Sequence, residues 1–260
     1  MLLKDQRAIV TGGGRGIGRA IALRFAREGA AVLVAARTAA EVDAVAGEIR
    51  AAGGRAASIC ADVSLPAGCE TIYRAAVEHF GGVDLLVNNA GMLGPVAPVE
   101  GISPEEWDAV LAANLKSAFL MARLVLPGML ERRQGVILNI SSVAAKMAFG
   151  LNSAYAASKA GLVALTRTLA AETGTRGVRV NALCPGPVPE TQMSREIGEG
   201  LSRAFGVPPS EILEGAKKGI LQGRAQTAEE IAAAALFLCS EQASAITGQA
   251  LNVDGGMAFF

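Results

Sequence analysis

Tyr155 and Lys159 stand four residues apart in the stretch Ser153-Ala-Tyr155-Ala-Ala-Ser-Lys159-Ala-Gly161. The stretch continues through Leu162, Leu165 and Leu169, a spacing that predicts a helix. One helical turn places the two side chains on one face, about 5–6 Å apart at Cβ. A phenol with a reference pKa near 10 exchanges protons poorly at neutral pH. An ammonium about 4 Å away, at an effective dielectric of about 20, favours the phenolate by roughly 4 kcal/mol. That would lower the pKa by as much as ~3 before desolvation opposes it, giving a general acid/base poised near neutrality. By itself the pair also describes a half-buried tyrosine with a solvated lysine one turn on. The composition adds weight to the chemical reading. His79 is the only histidine, and it falls near the end of an expected surface helix beside Gly81-Gly82. Ser–His–Asp and Cys–His catalysis are thereby removed, and proton transfer near pH 7 falls to a perturbed Tyr, Lys, Asp or Glu.

The elements that must position this pair follow from the hydrophobic rhythm. Short apolar, β-branched runs at Ala8–Val10, Ala31–Ala35, Arg55–Cys60, Val83–Val87, Val136–Ile140 and Val178–Leu183 alternate with helical patterns, and a last short strand is expected near Ala250–Val253. Helices are expected from Ile17 through Phe25, over Glu41–Ala52, Ala67–Phe80 and Glu105–Leu130 (one or two helices), around Tyr155, and over Ala228–Leu238. Strands alternating with helices predict parallel strands joined by crossover helices. Pro185 to about Gln226 reads as a long irregular segment. With no linker, repeat or low-complexity tract, 260 residues and 51% hydrophobic content, the expectation is a single doubly wound α/β domain over 1–260.

Lys+Arg equals Asp+Glu at 24 each, so no strong field favours nucleic acid or an anionic membrane. The densest apolar run, Ile231–Cys239, is far shorter than a membrane span, and the N-terminus resembles neither a secretory signal nor a transit peptide. Cys60, Cys69, Cys184 and Cys239 have no metal-binding or framework spacing, so buried free thiols and no metal are expected. A soluble cytoplasmic protein is the simplest expectation.

Thr11-Gly12-Gly13-Gly14-Arg15-Gly16-Ile17-Gly18 lies between the first strand and the first helix, where backbone N–H groups and a helix N-terminus receive a dinucleotide pyrophosphate. No register gives G-x-G-x-x-G; Gly12, Gly16 and Gly18 fit G-x-x-x-G-x-G. A purely structural glycine turn is the other reading of this segment. Ser142 ends the fifth strand, at the sheet edge where ligands of open α/β sheets bind, thirteen residues before Tyr155.

Taken in order, Thr11-Gly-x-x-x-Gly-x-Gly18, Asn88-Asn89-Ala90-Gly91, Ser142, Tyr155, Lys159, Pro185-Gly186 and Thr247-Gly-x-x-x-x-Val253-Asp-Gly-Gly256 resemble the short-chain dehydrogenases/reductases over essentially the whole chain. The resemblance implies a three-layer Rossmann fold with a seven-stranded parallel sheet, nicotinamide-dependent hydride transfer, and a homotetramer, less often a dimer. It implies that Ser142 holds the substrate oxygen, Tyr155 is the acid/base, and Lys159 tunes Tyr155 and binds the nicotinamide ribose. Asn114, inside a helical pattern where Asn has poor propensity, would hold a helix kink and a water leading to Lys159. Asp62 and Val63 resemble the pair that meets adenine, and Asn89, Ala90 and Gly91 border the cofactor. Pro185, Gly186 and Val188 lie beside the carboxamide. The family commonly places a Thr where this chain has Glu190, so Thr191, one residue later, is a doubtful ligand.

For the cofactor, Ala36 stands where an acid binding the ribose 2′-OH is expected, followed by Arg37, with Arg15 inside the glycine turn. Two guanidinium groups suit a 2′-phosphate, so NADP(H) is expected over NAD(H). The segment 191–223 reads as a substrate lid. A carbonyl or secondary alcohol is the expected substrate, with Met92, Leu93, Ala144, Met147 and Phe149 as a candidate apolar wall. The chain resembles both 3-oxoacyl-carrier-protein reductases and polyol or diol dehydrogenases, and the absence of a basic cluster leans toward a small ketone or alcohol. A non-catalytic NADP-binding sensor would typically lose Ser142, Tyr155 or Lys159. A sugar-nucleotide epimerase would usually carry a longer C-terminal domain.

Overall fold

The computed structural model describes residues 1–260, the side chain of Leu213 excepted. Seven parallel strands form one sheet: β1 (Arg7–Thr11), β2 (Ala31–Ala36), β3 (Arg55–Cys60), β4 (Leu85–Asn88), β5 (Gly135–Ile140), β6 (Val178–Pro185) and β7 (Ala250–Val253). Their order is β3-β2-β1-β4-β5-β6-β7. The order reverses between β1 and β4, and a crevice opens there at the strands' C-terminal ends, where doubly wound sheets bind ligands.

The strands read as continuous apolar runs because both faces are covered. Ala8, Val10, Val32, Val34, Val87 and Leu138 face α1 (Gly16–Arg27), α2 (Ala39–Ala51) and α9 (Ala228–Cys239). Their neighbours Ile9, Leu33, Leu86 and Ile137 point the other way, onto α3 (Pro66–Phe80), α5 (Ser117–Arg132) and α6 (Ser153–Thr173). The period of two along each strand thus builds two cores and three layers.

The one or two helices expected over 105–130 are present, and two other expectations need amendment. The run expected over 105–130 begins as α4 (Pro104–Leu111), whose start is fixed by Pro104 and a Ser103–Glu106 capping box. It passes through a π-helical turn at Ala112–Lys116, centred on Asn114, and continues as α5. The continuous 29-residue helical run Pro104–Arg132 reaches a mean hydropathy of 1.6 over 18 residues, so an apolar run of membrane-spanning length does exist. Leu120, Met121, Val125 and Met129 on it are buried in the second core, which accounts for its composition. Finally, the segment read as irregular after Pro185 holds two helices, α7 (Gln192–Phe205) and α8 (Pro209–Lys218). Thr191 caps α7, its side chain accepting from the Ser194 N–H, and Gly206 ends it in a left-handed conformation. Met193, Ile197 and Leu201 form an apolar stripe at four-residue spacing, in a segment whose Gly198, Gly200 and Pro208-Pro209 read as loop.

Candidate active site

The glycine turn is held in a shape only glycine permits. Gly12 has φ +62°, and a Cβ on Gly18 would collide with the Gly12 carbonyl. Asn89 fixes this close approach by donating its side-chain amide to the carbonyls of Thr11 (2.9 Å) and Gly12 (3.0 Å). The Thr11 hydroxyl accepts from the Asn89 and Ala90 N–H groups at 3.0 and 3.1 Å and donates to the Val87 carbonyl. The turn after β1 and the loop after β4 are therefore one rigid unit lining the crevice. Such a cradle, left bare of side chains at a helix N-terminus, fits a dinucleotide pyrophosphate.

On the other side of the switch point, a chain of buried polar groups sets the catalytic helix. Asn88 donates to Asn139 (2.9 Å), Asn139 to the Thr166 hydroxyl (2.9 Å), and Thr166 to the Leu162 carbonyl. This ties β4 to β5 and β5 to α6. Ser141 then donates to the Lys159 carbonyl (2.9 Å), and the Lys159 ammonium donates to the Ile140 carbonyl (2.8 Å). Ser142, Tyr155 and Lys159 all line one cleft that is continuous with the glycine turn. The Ser142 hydroxyl lies close enough to the Tyr155 phenol to affect its proton affinity, and it accepts from the Ala144 N–H at 3.1 Å.

Asn114 is 1% exposed, and its amide is fully engaged. Oδ1 accepts from the Met92 N–H (2.8 Å), while Nδ2 donates to the Met92 carbonyl and the Ser158 hydroxyl, both at 2.9 Å. The expected kink is present as the π turn. The side chain ties the loop after Gly91 to α6, and its Oδ1 borders Gly91 together with the Lys159 ammonium. Low helix propensity marks Asn114 as unusual, but its partners, 22 and 44 residues away, leave no local signal.

The electrostatics correct the simplest expectation from spacing. Burial pushes the Tyr155 phenol up from its ordinary value; the neighbouring Ser142 hydroxyl opposes this and Cys184 adds to it. Burial also pushes Lys159 down, to about 8. The ammonium lies 5.6 Å from the tyrosine ring centroid and is turned to the Ile140 carbonyl, so the desolvation both groups share outweighs the attraction between them. At neutral pH the phenol is protonated and the lysine largely charged.

At the far end, β2 closes on Ala36, with no acid there, and Arg37, Thr38 and Arg15 line the cleft. Thr38 is the N-cap of α2, and its side chain makes no capping bond. Glu41, not singled out in the sequence, is on the first turn of α2 and pairs with Arg15 at 3.3 Å. An acid in a first helical turn is a common feature of helix starts, so nothing in the local pattern assigns it to a binding site. Asp62 and Val63 line the cleft; one Asp62 oxygen accepts from the Ser64 N–H at 2.9 Å. Gly186 is pinned by its N–H to the Val253 carbonyl. The Val188 carbonyl accepts both the N–H and hydroxyl of Thr191. Thr191 places its methyl group toward Gly16, so it borders the turn while its hydroxyl is occupied. Glu190 accepts from the Ala228 N–H at 2.6 Å, capping α9. Ile17, Gly91 and Pro185 also line the cleft.

A nucleotide-binding sheet edge continuous with a Ser–Tyr–Lys cluster defines an oxidoreductase acting on carbonyl and alcohol groups with a nicotinamide cofactor. Comparison with known proteins agrees. A family model described as enoyl-(acyl carrier protein) reductase matches residues 12–258. D-β-hydroxybutyrate dehydrogenase of Cupriavidus necator is 39% identical, covering 98% of each chain. D-threitol dehydrogenase of Mycolicibacterium smegmatis is 40% identical, over 98% of this chain and 93% of its own. The crystal structure of a tryptophan-substituted variant of actinorhodin polyketide ketoreductase with NADPH superposes with a TM-score of 0.94 at 37% identity, covering 100% of each chain. The chain belongs to the short-chain dehydrogenase/reductase family.

Proposed function

We propose that the protein is an NADP(H)-dependent reductase of ketones, and in reverse a dehydrogenase of secondary alcohols, with Tyr155 as its general acid/base. The observation that carries this reading is the meeting of Ser142, Tyr155 and Lys159 at one end of a cleft whose other end is the glycine turn. In the reducing direction Tyr155 gives its proton to the carbonyl oxygen, which the Ser142 hydroxyl holds by a second hydrogen bond. In the oxidising direction Tyr155 takes that proton back. Bound nicotinamide supplies or accepts the hydride. Burial keeps the phenol protonated at neutral pH, the form reduction requires. Lys159 holds a positive charge beside it, and Asn114 fixes the loop and helix on either side.

Arg15, Arg37 and the bare N-terminus of α2 at Thr38 are the groups that would hold a 2′-phosphate, and the lack of an acid at Ala36 removes the usual repulsion. A structural relative that carries NADPH supports the same preference. Asp62 and Val63 would meet adenine; Asn89, Ala90 and Gly91 would flank the ribose beside Lys159; and Pro185, Gly186 and Val188 would border the carboxamide. The helices α7 and α8 form the lid. Phe119 on α5, Phe237 on α9 and Leu251 on β7 stay 37–49% exposed, apolar surface suited to a homotetramer. Tyr155→Phe tests the reading: ketone-dependent NADPH oxidation falls about 10²–10⁴-fold while NADPH affinity, followed by fluorescence, stays near wild type. Near-normal turnover in this variant would assign the proton to another group.

A further inference from the structure

Resting on that reading of the site, the walls around Tyr155 narrow the substrate class. Leu93, Ala144 and Tyr155 form a small apolar cluster of their own, and Val96, Met193 and Ile197 pack against it. Two of these come from α7, so the lid presents its apolar stripe to the reacting centre. Further out, Phe149 and Phe205 line the cleft yet remain 39% and 63% exposed. The fold leaves them uncovered on the very surface a ligand would touch. The lid is closely seated: a Cβ on Gly200 would stand 2.5 Å from a Val96 methyl carbon, so α7 rests directly on the loop after β4.

Size and charge point the same way. The cleft measures about 1550 Å³, beyond the roughly 300–1,000 Å³ of a pocket for one drug-sized ligand. The cleft therefore has room for a second molecule beside a dinucleotide. Glu106, Glu196 and Glu199 line that end. Among the described residues the one guanidinium there is Arg195, which donates to the Glu190 carbonyl at 3.3 Å. Lys159 is turned away to the Ile140 carbonyl. A carboxylate or phosphate approaching Tyr155 would pass three carboxylates against the single guanidinium of Arg195. Next to Tyr155 itself a polyol would set its hydroxyls against Leu93, Val96, Met193 and Ile197, which offer them no side-chain partner.

We propose that the substrate is an uncharged ketone carried on a broad apolar body of fused or bulky rings, in preference to short carboxylates, coenzyme A thioesters and polyols.

The test is kcat/KM with NADPH for a saturated fused two-ring ketone, acetoacetate, acetoacetyl-coenzyme A and dihydroxyacetone, in wild type and Ile197→Lys. The two-ring ketone is expected to exceed each of the others by at least about tenfold, the low end of what one methylene is worth in an apolar pocket. The substitution should cut turnover of the two-ring ketone by a similar factor and leave NADPH affinity unchanged. Should the variant not fold, the wild-type series decides alone. Equal or better turnover of acetoacetate, its thioester or dihydroxyacetone by wild type would overturn the substrate class and leave the reductase reading standing. NADPH binding without oxidation by any of the four carbonyls would remove both.

Discussion

Replacing Lys159 by Met should make the protein more stable at neutral pH while abolishing its activity. The ammonium is buried and its pKa falls from 10.5 to about 8. Each tenfold change in proton affinity is about 1.36 kcal/mol, so keeping this group charged costs the fold about 3 kcal/mol. Against this, the variant loses the hydrogen bond to the Ile140 carbonyl, a charge-assisted bond of about 1.5–3 kcal/mol. The net expectation at pH 7 is a gain of about 1 kcal/mol, or roughly 2–4 °C in Tm for a chain near this size. The pH dependence follows from the lowered pKa. Between about 8 and 10.5 the unfolded chain holds more protons at this lysine than the folded one, so wild type recovers the cost as pH rises through that window. Below pH 8 the cost is present in full. Tyr155, Cys69 and Cys239 have raised values and act oppositely at high pH, losing stability as it rises. The difference between wild type and variant cancels the contributions of Cys69 and Cys239, to whose shifts Lys159 contributes nothing. Calorimetric melts of both proteins from about pH 6.5 to 10.5, spanning that window, should therefore show a Met variant that leads at pH 7 and loses that lead by about pH 10. A variant less stable than wild type at pH 7, or a gap that does not change with pH, would refute the burial argument.

Arg37→Asp should move the ratio of NADPH to NADH affinity toward NADH, by about 10–150-fold if one charge-assisted bond of about 1.5–3 kcal/mol is lost; unchanged dissociation constants would deny Arg37 a role. Glu41→Gln frees Arg15 from its 3.3 Å ion pair and should tighten NADPH binding without altering NADH, measured by the same titrations. Asn114→Ala leaves both backbone polar groups of Met92 without their partner and should cost about 2–4 kcal/mol in urea unfolding, with turnover falling through displacement of the Gly91 loop. Because the Tyr155 phenol lies above its ordinary value, reduction rates should hold from about pH 6 through 8 while oxidation rates climb as pH rises toward the phenol's pKa; an oxidation rate independent of pH would contradict this.

The parts of this site that are legible in the sequence are those where geometry is local. A glycine turn between strand and helix, an Asn-Ala-Gly loop after a strand, and a Tyr and Lys one turn apart each fix their own backbone and so their own signature. Residues that meet across the fold leave less trace. Arg15 and Glu41 pair over 26 residues, and nothing in either neighbourhood marks the other. The helices of the lid carry an amphipathic period, but Gly198, Gly200 and Pro208-Pro209 give the segment the look of a loop, and the partners of the α7 stripe, Leu93 and Tyr155, are elsewhere in the chain. The direction of the Tyr155 shift is hidden for the same reason. A Coulomb attraction can be written from spacing alone, whereas desolvation depends on what every other element brings to the spot.

That dependence on burial bears on how the site works. Two groups with ordinary values of 10.0 and 10.5 are buried together, and burial drives the phenol up and the ammonium down. Their order inverts: the lysine becomes the more acidic of the two, and the one able to exchange a proton near pH 8. Neither burial favours folding, so other contacts must hold α6 where it is. The chain from Asn88 through Asn139 to Thr166, with Ser141 bonded to the Lys159 carbonyl, does this with neutral amides and hydroxyls that are each satisfied inside the fold. Paired neutral groups lose little on desolvation, whereas a paired charge loses much. Fixing the helix with uncharged bonds therefore leaves Lys159 as the one buried ammonium near Tyr155, and its proton affinity stays set chiefly by burial.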